Sequence, residues 1–291
     1  MKVLAVLTVI AVVMVGTGIL SGVLDVQRLL GHDDPGDGST FEGNVTVHFI
    51  DVGQGDSILI QYSDGSNVLI DAGGNRGSEF LTSYLHERSV QTIDALFITH
   101  PHTDHINYVG AVMEEFDVER VYMTDFTVNT AAYDDLIEAI EEEGCPRLQP
   151  SLSMTFEFAK GLKVLFYDGG AEITDDSSIV LRLDHGTTSF LFAGDMGTSI
   201  EQWLVEERGN LLDVDILKVS NHGSVYTTSA AFLSQVSPEV SVISVGENPY
   251  GNPSEETLDR LSAAGSLIYT TMENGNIVVS SNGTDYSIGF A

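Results

Sequence analysis

Positive charge is scarce in this sequence, and the scarcity excludes more than any other feature. Twelve Lys and Arg stand against 43 Asp and Glu, a formal net charge of −31. In dilute salt such a surface repels itself and repels nucleic acid. No basic patch offsets this, because the lysines are only Lys2, Lys160, Lys163 and Lys218. In molar salt the Debye length falls to about 3 Å and the repulsion largely vanishes. The composition therefore predicts a halophilic source. Cysteine is almost lacking as well. The single Cys145 excludes an intrachain disulfide. Its acidic neighbours Glu141, Glu142 and Glu143 should raise the thiol pKa, which argues against a nucleophilic role. Internal repeats of 20–50 residues are absent, as are low-complexity tracts beyond the first Gly- and Asp-rich linker.

Apolar residues are plentiful. They make up 43% of 291 residues, enough for a sizeable core. Val3 to Leu24 is an uncharged, almost unbroken apolar run, and about 20 such residues span a bilayer. Residues 1–24 are expected to be an N-terminal membrane anchor or signal segment, 25–43 a linker, and 44–291 one folded domain. Lys2 before the run and acidic residues after it predict that the domain lies outside the cytoplasm. Small residues at Gly16, Gly18, Ser21 and Gly22 leave a secreted form after signal cleavage as the alternative.

From Val45 onward, short runs of β-branched and aromatic residues alternate with helical patterns. Val45–Ile50, Ser57–Tyr62, Asn67–Ile70, Ile93–Thr99, Thr155–Phe158, Lys163–Tyr167, Ser178–Leu183, Ser189–Ala193, Ile216–Val219 and Val240–Val245 read as strands. Ser78–Ser89, Ile106–Phe116, Ala131–Glu143, Ile200–Glu207, Ser229–Gln235 and Ser254–Ala264 read as helices. Strands followed by helices, repeated in two halves, predict a layered α/β fold with sheets inside and helices outside.

The chemistry is concentrated in Thr99-His100-Pro101-His102-Thr103-Asp104-His105, where three imidazoles and a carboxylate occupy six positions after a buried strand. Neutral imidazole and carboxylate are natural ligands of zinc, manganese or iron. A loop leaving a strand can turn His100 and His102 to one side. Asp104 and His105, at the start of the next helix, can reach the same cavity.

This His-x-His-x-Asp-His run resembles the metal-binding signature of the metallo-β-lactamase superfamily. The chain further resembles the soluble hydrolase domain of the ComEC/Rec2 competence proteins. The stretches that carry this likeness are His48 to Ser57, Leu69-Ile70-Asp71-Ala72-Gly73, the His run, Phe192-Ala193-Gly194-Asp195 and Ser220-Asn221-His222-Gly223-Ser224, with Asn248 to Pro253 a weaker one. The resemblance implies a four-layer αββα sandwich with two divalent metal ions, zinc or manganese, at one edge. It implies that His100 and His102 hold one ion, that Asp104, His105 and His222 hold the second, and that Asp195 bridges both. Asp104, Asp195 and His222 are then the catalytic residues, and Asp71 orients a ligand histidine from behind. Two such ions about 3.5–4 Å apart can share and activate a hydroxide.

The chain departs from the family in two places. No histidine lies between His105 and His185, where the superfamily usually has another ligand. Asp176, in Thr174-Asp175-Asp176-Ser177-Ser178, is the expected substitute. Asn221 stands where a second histidine is common, which removes an acid role there. Asp51 and Asp56, in a Gly-rich turn, are expected to be structural. So is His48.

On this reading the expected activity is hydrolysis of a phosphodiester, with DNA as the partner. One apolar segment is too little for the family's channel domain. Hydrolysis of small esters, thioesters or lactams is the alternative, and a non-catalytic binding domain that keeps the fold is a third.

Overall fold

The computed structural model describes residues 45–167 and 178–291. The apolar N-terminal run, the linker, His32 and Asp176 lie outside the described residues. No helix among the described residues is long and apolar enough to cross a membrane.

In the first half, β1 (Val45–Phe49), β2 (Ile58–Tyr62) and β3 (Asn67–Ile70) form an antiparallel meander. Helix α1 (Ser78–Glu87), β4 (Thr92–Ile93) and β5 (Ala95–Phe97) follow, and β5 lies parallel to β3. Then come α2 (Thr103–Ile106), α3 (Val109–Glu115), β6 (Asp117–Val118), β7 (Val121–Tyr122), α4 (Ala131–Glu143) and β8 (Arg147–Leu148). The second half runs β9 (Leu162–Phe166), β10 (Val180–His185), β11 (Thr188–Phe192), α5 (Thr198–Arg208), β12 (Ile216–Lys218), α6 (Ala230–Val236), β13 (Val240–Ile243), α7 (Glu255–Ala263), β14 (Leu267–Thr270), α8 (Thr271–Asn274), β15 (Ile277–Ser281) and β16 (Tyr286–Phe290).

These strands build an eight-stranded sheet, β16-β15-β1-β2-β3-β5-β7-β8, and a six-stranded sheet, β14-β13-β12-β11-β10-β9. Strands β11, β12, β13 and β14 are parallel neighbours. The two sheets stack through one apolar cluster that contains Phe49, Phe97, Phe190 and Phe192. A second cluster covers the outer face of the larger sheet with Leu81 and Leu85 of α1, Val112 of α3 and Leu136 of α4. A third covers the smaller sheet with Leu204 of α5, Phe232 of α6 and Leu261 of α7. The order of layers is αββα, as the resemblance implied.

Strand β2 shows why its residues read as a continuous apolar run. Ile58 and Ile60 face the other sheet, while Leu59 faces the helices. A strand buried on both faces has no polar side to alternate with. Two local expectations fail. Thr155–Phe158 is not a strand and has only a single bridge, Thr155 to Lys163. Phe156 turns into the inter-sheet core instead, its ring centroid 5.2 Å from that of Phe97. The single helix expected over Ile106–Phe116 is split into α2 and α3. At the break, the Tyr108 N–H donates to the Ala72 carbonyl (2.8 Å), and the Asn107 side chain bonds both backbone groups of Gly74. These bonds tie the motif to the loop after β3, and a continuous helix would have used the Tyr108 N–H internally.

Candidate active site

Each site residue follows the C-terminal end of a parallel-paired strand, where backbone groups and side chains from adjacent strands converge. Asp71 follows β3, and His100 follows β5 by way of Ile98 and Thr99. Asp195 follows β11, and His222 follows β12. His102 precedes the first turn of α2, which carries Asp104 and His105. Gly73 lets this turn approach closely, since a Cβ there would overlap the backbone of Asp104 and His105. Asp71 (φ 59°) and His222 (φ 52°) both occupy the left-handed region, a strained choice for residues other than glycine that clusters at functional sites.

Three of the predicted histidine ligands meet around one carboxylate oxygen. Asp195 Oδ2 lies 3.4 Å from His105 Nε2, 3.5 Å from His222 Nε2 and 4.0 Å from His100 Nε2. His222 Nε2 is also 3.3 Å from Asp104 Oδ2, and His100 Nε2 is 2.9 Å from His102 Nδ1. The other ring nitrogens are committed. His222 Nδ1 donates to the Ser244 carbonyl (2.8 Å), and His105 Nδ1 to Asp71 Oδ2 (2.8 Å). Asp71 in turn accepts from the N–H and hydroxyl of Thr99 at 2.8 and 2.7 Å. Asp71 thus fixes both the ring of His105 and the strand end that carries His100.

This donor set fits divalent metal ions. His105 Nε2 and His222 Nε2 are buried without a hydrogen-bond partner, a condition that costs about 1–3 kcal/mol unless something else takes the lone pair. His100, His105 and Asp195 offer ligand atoms all within 4.8 Å of one another, as do Asp104, His105 and His222. Burial, then the neighbouring His105, pushes the pKa of His100 well below its ordinary value. Burial pushes His105 the same way, but Asp195 and Asp71 outweigh it and raise that pKa well above 6.5. A negative potential strong enough to protonate a buried imidazole would equally draw in a metal cation, with the ring then neutral and bound through Nε2.

Sequence reasoning missed two members of the site. Asp56, expected to serve only the turn, is 1% exposed and ion-paired with Lys218, itself 1% exposed. Lys218 Nζ also donates to the Gly194 carbonyl (3.3 Å) and lies 4.0 Å from Asp195 Oδ1. The available signal was a lone lysine inside the apolar strand Ile216–Val219. The remaining described histidines stand apart: His48 bonds Tyr84 (2.9 Å), His86 bonds Glu115 (2.7 Å) and His185 bonds Ser281 (2.9 Å). His185 therefore does not replace the missing ligand. A cavity of about 820 Å³ opens onto His102, Asp104, Asp195 and His222, with Tyr226 and Tyr250 on its wall.

Comparison with known proteins agrees with this geometry. Residues 50–147 match the family model of the metallo-β-lactamase superfamily. ComE operon protein 3 of Bacillus subtilis is 28% identical, over 79% of this chain and 32% of its own length. Recombination protein 2 of Haemophilus influenzae is 27% identical, over 80% and 28%. Competence protein ComA of Neisseria gonorrhoeae is 28% identical, over 80% and 32%. The chain thus spans about a third of the length of these relatives. Among solved structures, the metallo-β-lactamase fold protein YhfI of Bacillus subtilis superposes with a TM-score of 0.54 at 11% identity, covering 79% of this chain and 98% of that one. CmlA, a diiron β-hydroxylase from Streptomyces venezuelae, superposes with a TM-score of 0.53 at 12% identity, over 83% and 55%. Sequence motifs, layer order and the converging imidazole–carboxylate cluster point the same way: residues 50–147 resemble the metallo-β-lactamase superfamily, and the chain is similar to the competence proteins of the ComEC/Rec2 family.

Proposed function

We propose that this chain is a metal-dependent phosphodiesterase that acts on DNA, held at a membrane by its N-terminal segment with the domain outside the cytoplasm. His100 and His102 would hold one zinc or manganese ion. Asp104, His105 and His222 would hold a second, Asp195 would serve both, and Asp176 would be a further ligand. When bound, two such ions acidify a water and neutralise charge on the attacked phosphoryl group. The chain's own residues supply the geometry. Asp71 and the Ser244 carbonyl fix the His105 and His222 rings with Nε2 inward, and Asp195 sits at their focus. Hydrolysis adds water across one P–O bond, leaving a phosphate on one product and a hydroxyl on the other.

The observation that carries this reading is the meeting of three imidazole Nε2 atoms within 4.0 Å of one carboxylate oxygen. The nucleic-acid substrate rests on the competence relatives. The test is metal content per chain in the wild type and in His102→Ala, followed by cleavage of single- and double-stranded DNA with Mn²⁺ or Zn²⁺. About two ions per chain, fewer in the variant, and cleavage abolished by EDTA are expected. Protein that binds no metal and cuts no DNA at any salt concentration would overturn the proposal. One observation favours the small-ester or lactam reading: among the described residues, no Lys or Arg lines the cavity. Turnover of such esters by metal-loaded protein without DNA cleavage would establish it.

A further inference from the structure

Beyond the scissile group that a metal centre would hold, a cavity wall with no Lys or Arg among the described residues has to grip a nucleic acid by something other than its phosphates. The cations near the cavity are already used. Lys218 is buried against Asp56. Arg260 donates to the carbonyls of Val225, Thr227 and Thr228 at 3.2, 2.9 and 2.9 Å. What the cavity wall presents instead is aromatic. Tyr226 and Tyr250 both line it and are 81% and 76% exposed, among the few large apolar side chains so placed.

Both rings stand on backbone that is held in place. The bonds from Arg260 clamp the loop that carries Tyr226, and Thr257 adds another from its hydroxyl to the Ser224 carbonyl (2.8 Å). Tyr250 sits in a turn organised by Asn248. The Asn248 side-chain oxygen accepts from the N–H groups of Tyr250 and Asn252 at 3.0 and 3.1 Å, and its amide donates to the carbonyls of Gly246 and Asn252, both at 2.8 Å. The two loops are joined where the Ser254 N–H donates to the Gly223 carbonyl (3.0 Å), next to His222. An exposed ring on an ordered loop beside a metal-type centre loses little further entropy when a flat group stacks on it.

We infer that Tyr226 and Tyr250 are the substrate-binding platform of this site, and that the substrate they select is a single-stranded nucleic acid, recognised by base stacking rather than by phosphate charge. This rests on the phosphodiesterase reading above for the position of the scissile bond. A duplex keeps its base faces inside and offers the tyrosines nothing, whereas every unpaired base has a π-face to offer, whatever the sequence. Charge predicts the salt response. Binding through Lys and Arg releases counterions and weakens as salt rises, by about 0.7 log units per tenfold salt for each phosphate neutralised on a single strand. With metal removed by EDTA and no Lys or Arg among the described residues of the cavity wall, no such contact is available, and the protein is itself a polyanion at −31, so affinity should hold or improve with salt.

The test uses the full chain and a fluorescent thymidine 20-mer, an abasic 20-mer and the corresponding duplex. Binding is followed by anisotropy from 0.1 to 2 M KCl with EDTA present, so that no strand is cut. The thymidine strand should bind at least about tenfold more tightly than the abasic strand or the duplex. Tyr226→Ala and Tyr250→Ala should each weaken it by about tenfold, while Tyr226→Phe and Tyr250→Phe should keep the affinity. Equal affinity for abasic and base-bearing strands, no binding at all, unaffected alanine variants, or affinity falling steeply with salt would each overturn the inference. Cleavage of the same strands after Mn²⁺ is restored tests the other reading independently. Stacking-dependent binding without cleavage would sustain the platform and sink the phosphodiesterase, whereas cleavage indifferent to both tyrosines would do the reverse.

Discussion

Lys218 and Asp56 are a pair of buried charges with almost no water between the strands to screen them. Burial alone would lower the lysine's pKa, but Asp56 and Asp195 raise it above 10.5, so it stays charged. Taking away one member of a buried pair leaves the other charge unpaired, at a cost of about 3–5 kcal/mol, whereas taking away both is often close to neutral. Lys218→Met should therefore lower unfolding stability in denaturant by about 3–5 kcal/mol, and Lys218→Met with Asp56→Asn should recover most of the loss. Additive losses in the double variant would show that the two side chains act independently. The same lysine places its charge 4.0 Å from Asp195 Oδ1, where it repels a cation, so the single variant should also bind metal more tightly. At this scale the sequence was legible wherever ligand chemistry was packed into a short run. His100, His102, Asp104 and His105 could be read directly. Lys218 and Asp56 could not, because 162 positions separate the partners and nothing local marks the bond between them.

Strand β1 and helix α1 are joined by a histidine that carries no charge. His48 Nδ1 bonds the Tyr84 hydroxyl at 2.9 Å. Burial, then the nearby charge of Arg88, lowers its pKa from 6.5 to about 3. The unfolded chain takes up a proton here below about pH 6.5, and the folded chain only near pH 3, so the unfolded state binds more protons between these values. Stability conferred by this group is complete above pH 6.5 and is lost as pH falls toward 3, over a range worth a few kcal/mol. His48→Asn should flatten that part of the stability-against-pH curve, as measured by denaturant melts between pH 7 and 4. A slope as steep as the wild type's would mean that other groups govern acid unfolding. Most elements of this kind were visible in the periodicity: Ala131–Glu143 ends on Gly144 in the left-handed conformation (φ 72°), as a helix stop should. The expected strand Thr155–Phe158 failed because its aromatic residues satisfy either a ladder or a core. Phe97 and Tyr122, distant in sequence, decided for the core.

Across the whole molecule, the surface charge predicts how stability responds to salt. With a net charge of −31, mutual repulsion of carboxylates opposes the compact state in dilute salt and fades as the Debye length shortens to about 3 Å at 1 M. Melting temperature should rise steadily with KCl between 0.1 and 3 M. A melting curve indifferent to KCl would remove the case for a high-salt protein.

The sequence by itself determined a layered α/β fold, since runs buried on both faces and runs buried on one already prescribe sheets covered by helices; the four-layer order was implied by the family resemblance. It also determined the chemistry of the metal-type centre, because a clustered set of imidazoles and carboxylates has few other uses. Only the tertiary structure decided which distant residues complete that centre and what surrounds it. Asp195 and His222 reach it because β11 and β12 are parallel neighbours ending at the same edge. Asp56 joins through Lys218, and Tyr226 and Tyr250 share a wall because two loops separated along the chain are bonded beside His222. Such relations depend on strand register and loop packing, which no local pattern of residues encodes.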